Sequence, residues 1–297
     1  MVDGLVHLWV GLSVHERKRS PAFCLSIDVE RDYRLDGRVT SRGIDEGLPV
    51  YLDLLRSLGI PYDLYVSGEI VPQLSDQMSV PSDGLGALGC HGLTHEPGVR
   101  SYLSRKPRSL VAWQLRTATE RVHSRFGRNP THFRAPNFST SAETISMLER
   151  LGYRTDSSVL PGRHVRRWKV IPILDHRNAP LDPYHPDRRS VLREGDSSVL
   201  EVPVTPNPLM AGSPLGLGFL HHSGPESVTR AIARVCGRYL IFLAHSWEMV
   251  SWEPSDPVAD WVVRSSSPST KALEQLLRSL EKLRFVNMDR IVAESGA

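Results

Sequence analysis

The stretch Gly89-Cys90-His91-Gly92-Leu93-Thr94-His95-Glu96-Pro97 carries two histidines four residues apart, directly after a short apolar run. On a helical or turned backbone, His91 and His95 can point at one centre. Neutral imidazole is the commonest protein ligand of divalent metals, so this spacing suggests a metal site. The alternative is an ordinary surface turn, because a chain with twelve histidines can contain such a pair by chance.

An acidic pair upstream favours the metal interpretation. Residues 22–27 form an apolar run that predicts a buried strand. Asp28 and Glu30 follow it at alternate positions, and therefore on one side of an extended backbone. Carboxylates that face the same way repel unless a cation lies between them or one is protonated. The alternatives are a strand end that simply meets solvent, or neutralisation of the pair by Arg31.

The rest of the chain alternates predicted helices and strands. Periodicity and apolar runs predict helices over 45–58, 109–126, 140–151, 226–236 and 271–283, and strands over 62–66, 131–133, 199–204 and 239–243. Segments 161–198 and 206–224 are predicted to be long loops. Strands that alternate with helices predict an α/β fold built on a parallel sheet or barrel.

Polar clusters follow four of the predicted strands. They are Asp28 with Glu30, His91 with His95, Arg134, and His245. In α/β barrels, catalytic residues gather on the loops at the carboxyl ends of the strands. A single placement rule therefore brings together clusters that are far apart in the sequence.

Composition excludes several classes of protein. The 297 residues are 40% apolar and 23% charged, which is typical of a soluble globular protein, and a net charge of +3 is too small to indicate nucleic-acid binding. The patches at Arg163, Arg166 and Arg167 and at Arg188 and Arg189 are interpreted as solvated loops, with contact to an anionic substrate as the alternative. Three cysteines without a spaced motif favour a reducing compartment. Without an export signal or a membrane-spanning apolar run, a cytoplasmic protein is expected.

Four motifs resemble, in order and spacing, those of the polysaccharide deacetylases, the NodB-like enzymes of carbohydrate esterase family 4. They read Ser26-Ile27-Asp28-Val29-Glu30, His91-Gly92-Leu93-Thr94-His95, Phe133-Arg134-Ala135-Pro136-Asn137-Phe138-Ser139 and Leu243-Ala244-His245-Ser246-Trp247-Glu248. The similarity is closest to the branch with Asp-Val-Glu in its first motif and His-x-Trp-Glu in its last. It implies a single-domain α/β fold, a distorted (β/α)7-type catalytic barrel over residues 21–297, after an N-terminal arm of residues 1–20.

The resemblance also implies roles for the motif residues. His91 and His95 would be metal ligands, Asp28 the general base and His245 the general acid, while Arg134 would hold Asp28 ionised and oriented. The alternatives are an ordinary ion pair for Arg134 and a hydrogen-bonded core histidine for His245. One divalent metal is expected, zinc in the first place, with cobalt, nickel or manganese as alternatives.

The first motif departs from the commonest family pattern. That pattern has two adjacent aspartates, but here Val29 stands in the second position and cannot bind a metal. Glu30, the next carboxylate on the same side, is therefore predicted to be the third ligand. The acid that braces the general-acid histidine in the family has no clear match, and Asp156 and Asp175 are weak candidates.

Five residues are predicted to contact substrate. The backbone N–H of Asn137 is a candidate for binding the oxyanion, with Phe138 beside it. Trp247 either stacks on a sugar or packs the end of the barrel. Leu217 and Phe219 are candidates for the wall of the cleft.

The predicted activity is metal-dependent hydrolysis of the acetamido group of an amino-sugar substrate to a free amine and acetate. The substrate would be a small molecule or a glycoconjugate, with no nucleic-acid partner, and the sequence leaves a homo-oligomer open. One alternative is a hydrolase of the same fold acting on another C–N bond, such as a deformylase or cyclic amidase. The other is a catalytically inactive carbohydrate-binding barrel.

Overall fold

The fold is built around a parallel sheet whose strands coincide with the apolar runs of the sequence. A computed structural model describes residues 20–74, 84–95, 102–168 and 170–296. In chain order the strands are β1 (Ala22–Val29), β2 (Tyr62–Val66), β3 (Gly86–Cys90), β4 (His132–Phe133), β5 (Thr155–Asp156), β6 (His164–Arg167), β7 (Ile171–Asp175), β8 (Pro186–Asp187), β9 (Ser190–Glu194), β10 (Leu200–Glu201), β11 (Tyr239–His245) and β12 (Phe285–Val286). The predicted N-terminal arm lies outside the described residues, apart from Ser20.

The order of the strands gives a curled, barrel-like sheet. The order is β10-β5-β4-β3-β2-β1-β11, with β12 beside β1, and all these strands pair in parallel. The segment after β10 returns to the opposite end of the sheet, where Leu243 of β11 donates its N–H to the carbonyl of Leu215 at 3.1 Å. The predicted distorted (β/α) barrel is therefore confirmed.

Helices cover the outside of this sheet. They are α1 (Leu48–Ser57), α2 (Arg108–Phe126), α3 (Ala142–Leu151), α4 (Leu217–Ile232), α5 (Asp260–Arg264), α6 (Lys271–Ser279) and α7 (Met288–Ser295). A π-helical turn, Gly43–Gly47, leads directly into α1. Within the described ranges, no helix is long and apolar enough to cross a membrane.

Strand β1 divides the apolar core into two layers. All eight of its residues are buried, as expected for a parallel strand covered on both faces. Phe23, Leu25 and Ile27 pack in the cluster that includes the helices, whereas Ala22 and Cys24 pack in a second cluster on the other side. Because side chains alternate along a strand, the carboxylates that follow in the sequence continue the second face.

Two loop predictions are wrong. Segment 161–198 contains two antiparallel hairpins, β6 with β7 and β8 with β9, which pair locally outside the main sheet. Segment 206–224 is a loop only as far as Gly216, because α4 begins at Leu217 and buries Leu217 and Leu220. Gly224, with a φ angle of 77°, and Pro225 form a bend inside α4.

A close backbone approach locks the start of α1 against the last motif. The turn Ser246–Met249 follows β11 and lies against the π-helical turn. A Cβ atom on Gly47 would lie 2.2 Å from the carbonyl oxygen of Met249, so only glycine fits at this position.

We predict that Gly47→Ala destabilises the protein. Alanine is the better helix former by about 1 kcal/mol, but the added methyl would have to displace main-chain atoms, and overpacking of this kind costs about 1–3 kcal/mol. The measurement is the free energy of unfolding in urea. Val50→Ala, on the half-exposed side of α1, is the control and should change it by less than about 1 kcal/mol. Equal stability of Gly47→Ala and wild type would contradict the close approach.

Candidate metal centre

The carboxyl ends of β1, β3, β4 and β11 meet at one edge of the sheet. Glu30 and His91 directly follow β1 and β3, and Arg134 directly follows β4. Asp28, near the end of β1, lies in register with His245, the last residue of β11. The four polar clusters predicted from the sequence therefore lie together, as parallel pairing of these strands requires.

Glu30, His91 and His95 form a group that fits a divalent metal ion. The Oε2 atom of Glu30 lies 3.3 Å from Nε2 of His91 and 3.4 Å from Nε2 of His95. Both Oε2 of Glu30 and Nε2 of His91 are buried and have no hydrogen-bond partner. Buried polar atoms are normally satisfied, and a cation bound between these three ligand atoms would satisfy them.

Surrounding groups orient the three predicted metal ligands. The Nδ1 atom of His91 lies 3.0 Å from the carbonyl oxygen of Arg134, a contact that leaves Nε2 facing the carboxylate. The backbone N–H of His95 donates to Oε1 of Glu69 at 2.7 Å. The second oxygen of Glu30, Oε1, accepts a hydrogen bond from Nε1 of Trp247 at 2.8 Å. Each predicted metal ligand is therefore held by a second contact.

The protonation states of Glu30 and His95 suit metal binding, whereas Asp28 and Glu30 outweigh burial and raise the pKa of His91, so that a bound metal would displace a proton from this ring. Burial alone would raise the pKa of Glu30, but the nearby His95 and His91 outweigh it and hold this pKa well below its usual range. Burial lowers the pKa of His95, which keeps the ring neutral and its nitrogen lone pair available. An ionised carboxylate and a neutral imidazole are the forms that bind a metal.

Asp28 is held by Arg134 in a buried ion pair. Nη1 of Arg134 donates to Oδ1 of Asp28 at 2.8 Å, and both side chains are at most 3% exposed. Arg134 also donates from Nε to the carbonyl oxygen of Ser157 and from Nη2 to its hydroxyl, each at 3.0 Å. The other oxygen of Asp28, Oδ2, lies 3.7 Å from Nε2 of His91 and 4.0 Å from Nε2 of His245. One carboxylate oxygen is thus fixed, while the other faces both histidines.

Glu248 pairs with His245, a contact that the sequence reasoning missed. Oε1 of Glu248 lies 3.4 Å from Nδ1 of His245, and Oε2 accepts the backbone N–H of His245 at 2.9 Å. Burial disfavours the protonated ring, but Glu248, Glu30 and Asp28 outweigh burial and raise the pKa of His245 to about 9. The spacing His-x-x-Glu within the last motif was the available signal, because it places both residues on one tight turn.

Neither acid considered from the sequence braces His245. Asp156 accepts hydrogen bonds from the hydroxyls of Thr140 and Ser158 in the buried interior. Asp175 pairs with Arg177 on the surface. The carboxylate that does lie near Nδ1 of His245, that of Glu248, comes from the same turn as the histidine, at 3.4 Å and without a hydrogen bond between the two atoms.

Trp247 packs inside the site. Its side chain is buried, it donates to Glu30 as described above, and its ring stacks on His245 with centroids 4.9 Å apart. Of the two interpretations of this residue, the geometry favours packing over stacking on a sugar.

The turn after Arg134 has an unusual backbone. Asn137 and Phe138 have φ angles of 55° and 60°, in the left-handed region that non-glycine residues rarely occupy. Such conformations cluster at functional sites, where the surrounding structure holds them in place. This placement agrees with the predicted oxyanion role of Asn137, which stays a prediction.

The two candidates for the cleft wall pack against the main apolar core. Leu217 is fully buried in the main apolar core, so its side chain cannot line an open cleft, and Phe219 is half-buried against the same core. The assignment of Leu217 was wrong because a helix, α4, begins where the sequence suggested a loop.

The site opens to solvent on one side. The side chains of His245 and His95 are 22% and 11% exposed, whereas those of Asp28, Glu30 and His91 are at most 3% exposed. A substrate would therefore approach past the two exposed histidines and meet the carboxylates behind them.

Comparison with known proteins agrees with this arrangement. Residues 38–155 match the family model of the polysaccharide deacetylases. That segment contains His91, His95 and Arg134, while Asp28, Glu30 and His245 lie outside it. No curated protein matches the sequence significantly.

Solved structures share the fold over nearly the whole chain. A protein from Mycobacterium smegmatis that is assigned to the polysaccharide deacetylases aligns over 94% of this chain and 92% of its own, at 15% identity and a TM-score of 0.63. A CE4 family pseudoenzyme from Bacillus anthracis aligns over 93% of this chain and 66% of its own, at 11% identity and a TM-score of 0.51. A mutant of that pseudoenzyme with restored enzymatic activity aligns over 93% of this chain and 69% of its own, at 11% identity and a TM-score of 0.54. The chain is therefore similar to the polysaccharide deacetylases in sequence over residues 38–155 and in fold over nearly its whole length.

Proposed function

We propose that this protein is a metal-dependent N-deacetylase that hydrolyses the acetamido group of an amino-sugar substrate to a free amine and acetate. The observation that carries the proposal is the pair of unpartnered buried atoms, Oε2 of Glu30 and Nε2 of His91, beside a carboxylate and a second histidine. These groups match what amide hydrolysis needs, namely a base, an acid and a centre of positive charge.

Glu30, His91 and His95 would hold the ion. A bound zinc ion would supply a Lewis acid that polarises the amide carbonyl and acidifies a water molecule. Two imidazoles and one carboxylate also accept cobalt, nickel or manganese, so zinc is proposed on ligand type alone.

The remaining side chains supply the proton transfers. Asp28 takes a proton from the attacking water through Oδ2, the oxygen that Arg134 leaves free. Arg134 keeps Asp28 ionised and fixes its orientation. His245 is protonated near neutral pH and donates its proton to the leaving nitrogen. The backbone N–H of Asn137 is the proposed additional donor to the oxyanion.

The complete set of polar groups favours an enzyme over an inactive binding barrel. Asp28, Arg134 and His245 are all present, and each has a defined partner. A deformylase or cyclic amidase would use the same groups, so a substrate panel scored for acetate, formate and amine separates these activities. A cytoplasmic location and a small-molecule or glycoconjugate substrate stay predictions from the sequence.

We expect about one transition-metal ion per wild-type chain, measured by elemental mass spectrometry after purification with added zinc or cobalt. Glu30→Ala removes one of three ligands and should lose most of this metal. Glu46→Ala is the control, because Glu46 is an exposed carboxylate paired with Arg42. Metal retained in Glu30→Ala would move the third ligand to another residue, and absence of metal from the wild type would favour a binding barrel.

Asp28→Asn should lower the rate of acetate release by about 10²–10⁴-fold, because the amide cannot accept the proton of the water. The metal content should stay near that of the wild type, which separates loss of the base from loss of the ion. Asp36→Asn, an exposed carboxylate on the loop after β1, should leave the rate unchanged. Turnover by Asp28→Asn at the wild-type rate would refute the assigned base.

Glu248→Gln should shift the alkaline limb of the pH–rate profile to lower pH. The acid form of His245 is lost as the pH rises through its pKa of about 9, and Glu248 is the main group that raises this pKa. Removing its charge should move the limb down by about one pH unit or more. The exposed Glu253→Gln is the control and should leave the profile in place. An unchanged profile in Glu248→Gln would mean that another group sets this limb.

A further inference from the structure

Arg163 is a largely buried cation without a carboxylate partner. Among the residues that the structure describes, no acidic side chain forms an ion pair with it, and its Nε atom is buried without a hydrogen-bond partner. The guanidinium group donates a hydrogen bond from Nη1 to the carbonyl oxygen of Gly212, at 2.9 Å. Burial lowers the pKa of Arg163, which shows that its charge is poorly compensated.

The titratable groups around Arg163 do not provide a negative charge. Burial and the charge of Arg163 lower the pKa of His176 to about 4, so this ring is neutral at pH 7. Burial raises the pKa of Tyr102, so its hydroxyl is neutral as well. A positive charge that is largely removed from water is costly unless an anion pairs with it, and none of the described residues supplies one here.

Arg163 contacts the strained turn that carries Asn137, the proposed oxyanion donor. Its guanidinium carbon is 5.3 Å from the ring centroid of Phe138, the residue after Asn137 in the strained turn. Tyr102 interacts electrostatically with both Arg163 and Tyr33. The ring of Tyr33 lies 6.1 Å from that of Trp247, which donates to Glu30.

We propose that Arg163 binds an anionic group, a phosphate or a carboxylate, that the amino-sugar substrate carries beside its acetamido group. This inference rests on the proposed function and adds a substrate class to it. A guanidinium presents several N–H donors in one plane and pairs with phosphate or carboxylate through two of them. Nε of Arg163 is the donor that the protein leaves unused, while the contact to Gly212 holds the guanidinium in place.

A purely structural role is the competing explanation. The hydrogen bond to Gly212 ties the start of the β6–β7 hairpin to the loop before α4, and the cation–π contact with Phe138 packs the strained turn. Such a role would affect stability and the binding of every substrate alike. An anion-binding role would affect only charged ligands.

The experiment compares three probes on zinc-loaded protein by isothermal titration calorimetry. They are N-acetylglucosamine, N-acetylglucosamine 1-phosphate and N-acetylmuramic acid, which are neutral, phosphorylated and carboxylated. The variants are Arg163→Gln, Arg163→Lys and Arg166→Gln, the last being an exposed arginine of the same hairpin. Thermal melting of each variant checks the fold, and acetate release is measured separately.

We expect at least one anionic sugar to bind wild type about tenfold or more tightly than the neutral sugar. Arg163→Gln should abolish this preference and leave the affinity for the neutral sugar unchanged. Arg163→Lys should retain part of the preference for anionic sugars, and Arg166→Gln should retain all of it. The anionic sugar that is preferred identifies the group, phosphate or carboxylate.

Two outcomes would overturn the proposal. One is equal affinity of wild type for all three sugars. The other is an anion preference that survives in Arg163→Gln, which would place the anion on the metal. Because binding and acetate release are measured separately, a failure of acetate release would refute the proposed activity and leave the anion site standing.

Discussion

Two carboxylates buried at the end of one strand constrain the rest of this site. Asp28 and Glu30 are each 2% exposed, and an unpaired charge at such a depth would cost several kcal/mol. Side chains at the ends of neighbouring strands offset these negative charges. Arg134 pairs with Asp28, and two histidines lie beside Glu30. Arg134 binds one oxygen of Asp28, whereas Oε2 of Glu30 has no hydrogen-bond partner, which is why a metal ion fits at Glu30.

These polar contacts also link neighbouring strands at defined positions, which apolar packing alone does not do. Arg134 connects β4 to β1 and to Ser157 after β5, and the hydroxyl of Ser246 after β11 donates to the carbonyl of Glu30 at 3.0 Å. Removing one partner of such a buried pair typically costs about 3–5 kcal/mol, so the catalytic geometry and the barrel depend on the same interactions. The fold by itself does not establish activity, since a pseudoenzyme shares it, and the enzymatic proposal therefore rests on these side chains.

Much of the architecture could be predicted from the sequence. The limits of β2 agree with the predicted strand over 62–66, and α2 starts one residue before the predicted helix, because periodicity and helix ends are local properties. The errors fall on segments where tertiary packing overrides local signals. Gly224 and Pro225 indicate a loop, yet burial of Leu217 and Leu220 makes their segment a bent helix.

The sequence by itself determined which residues reach the site, because parallel strands that end in polar residues must present them at one edge. Asp28, Glu30, His91, Arg134 and His245 follow from that rule and from the motif spacing. Only the tertiary structure decided the partner of each group, since hydrogen bonds depend on side-chain directions that residue spacing does not fix. The structure placed Glu248 beside His245 and the indole N–H of Trp247 on Glu30. It also showed that none of the described acidic side chains pairs with Arg163.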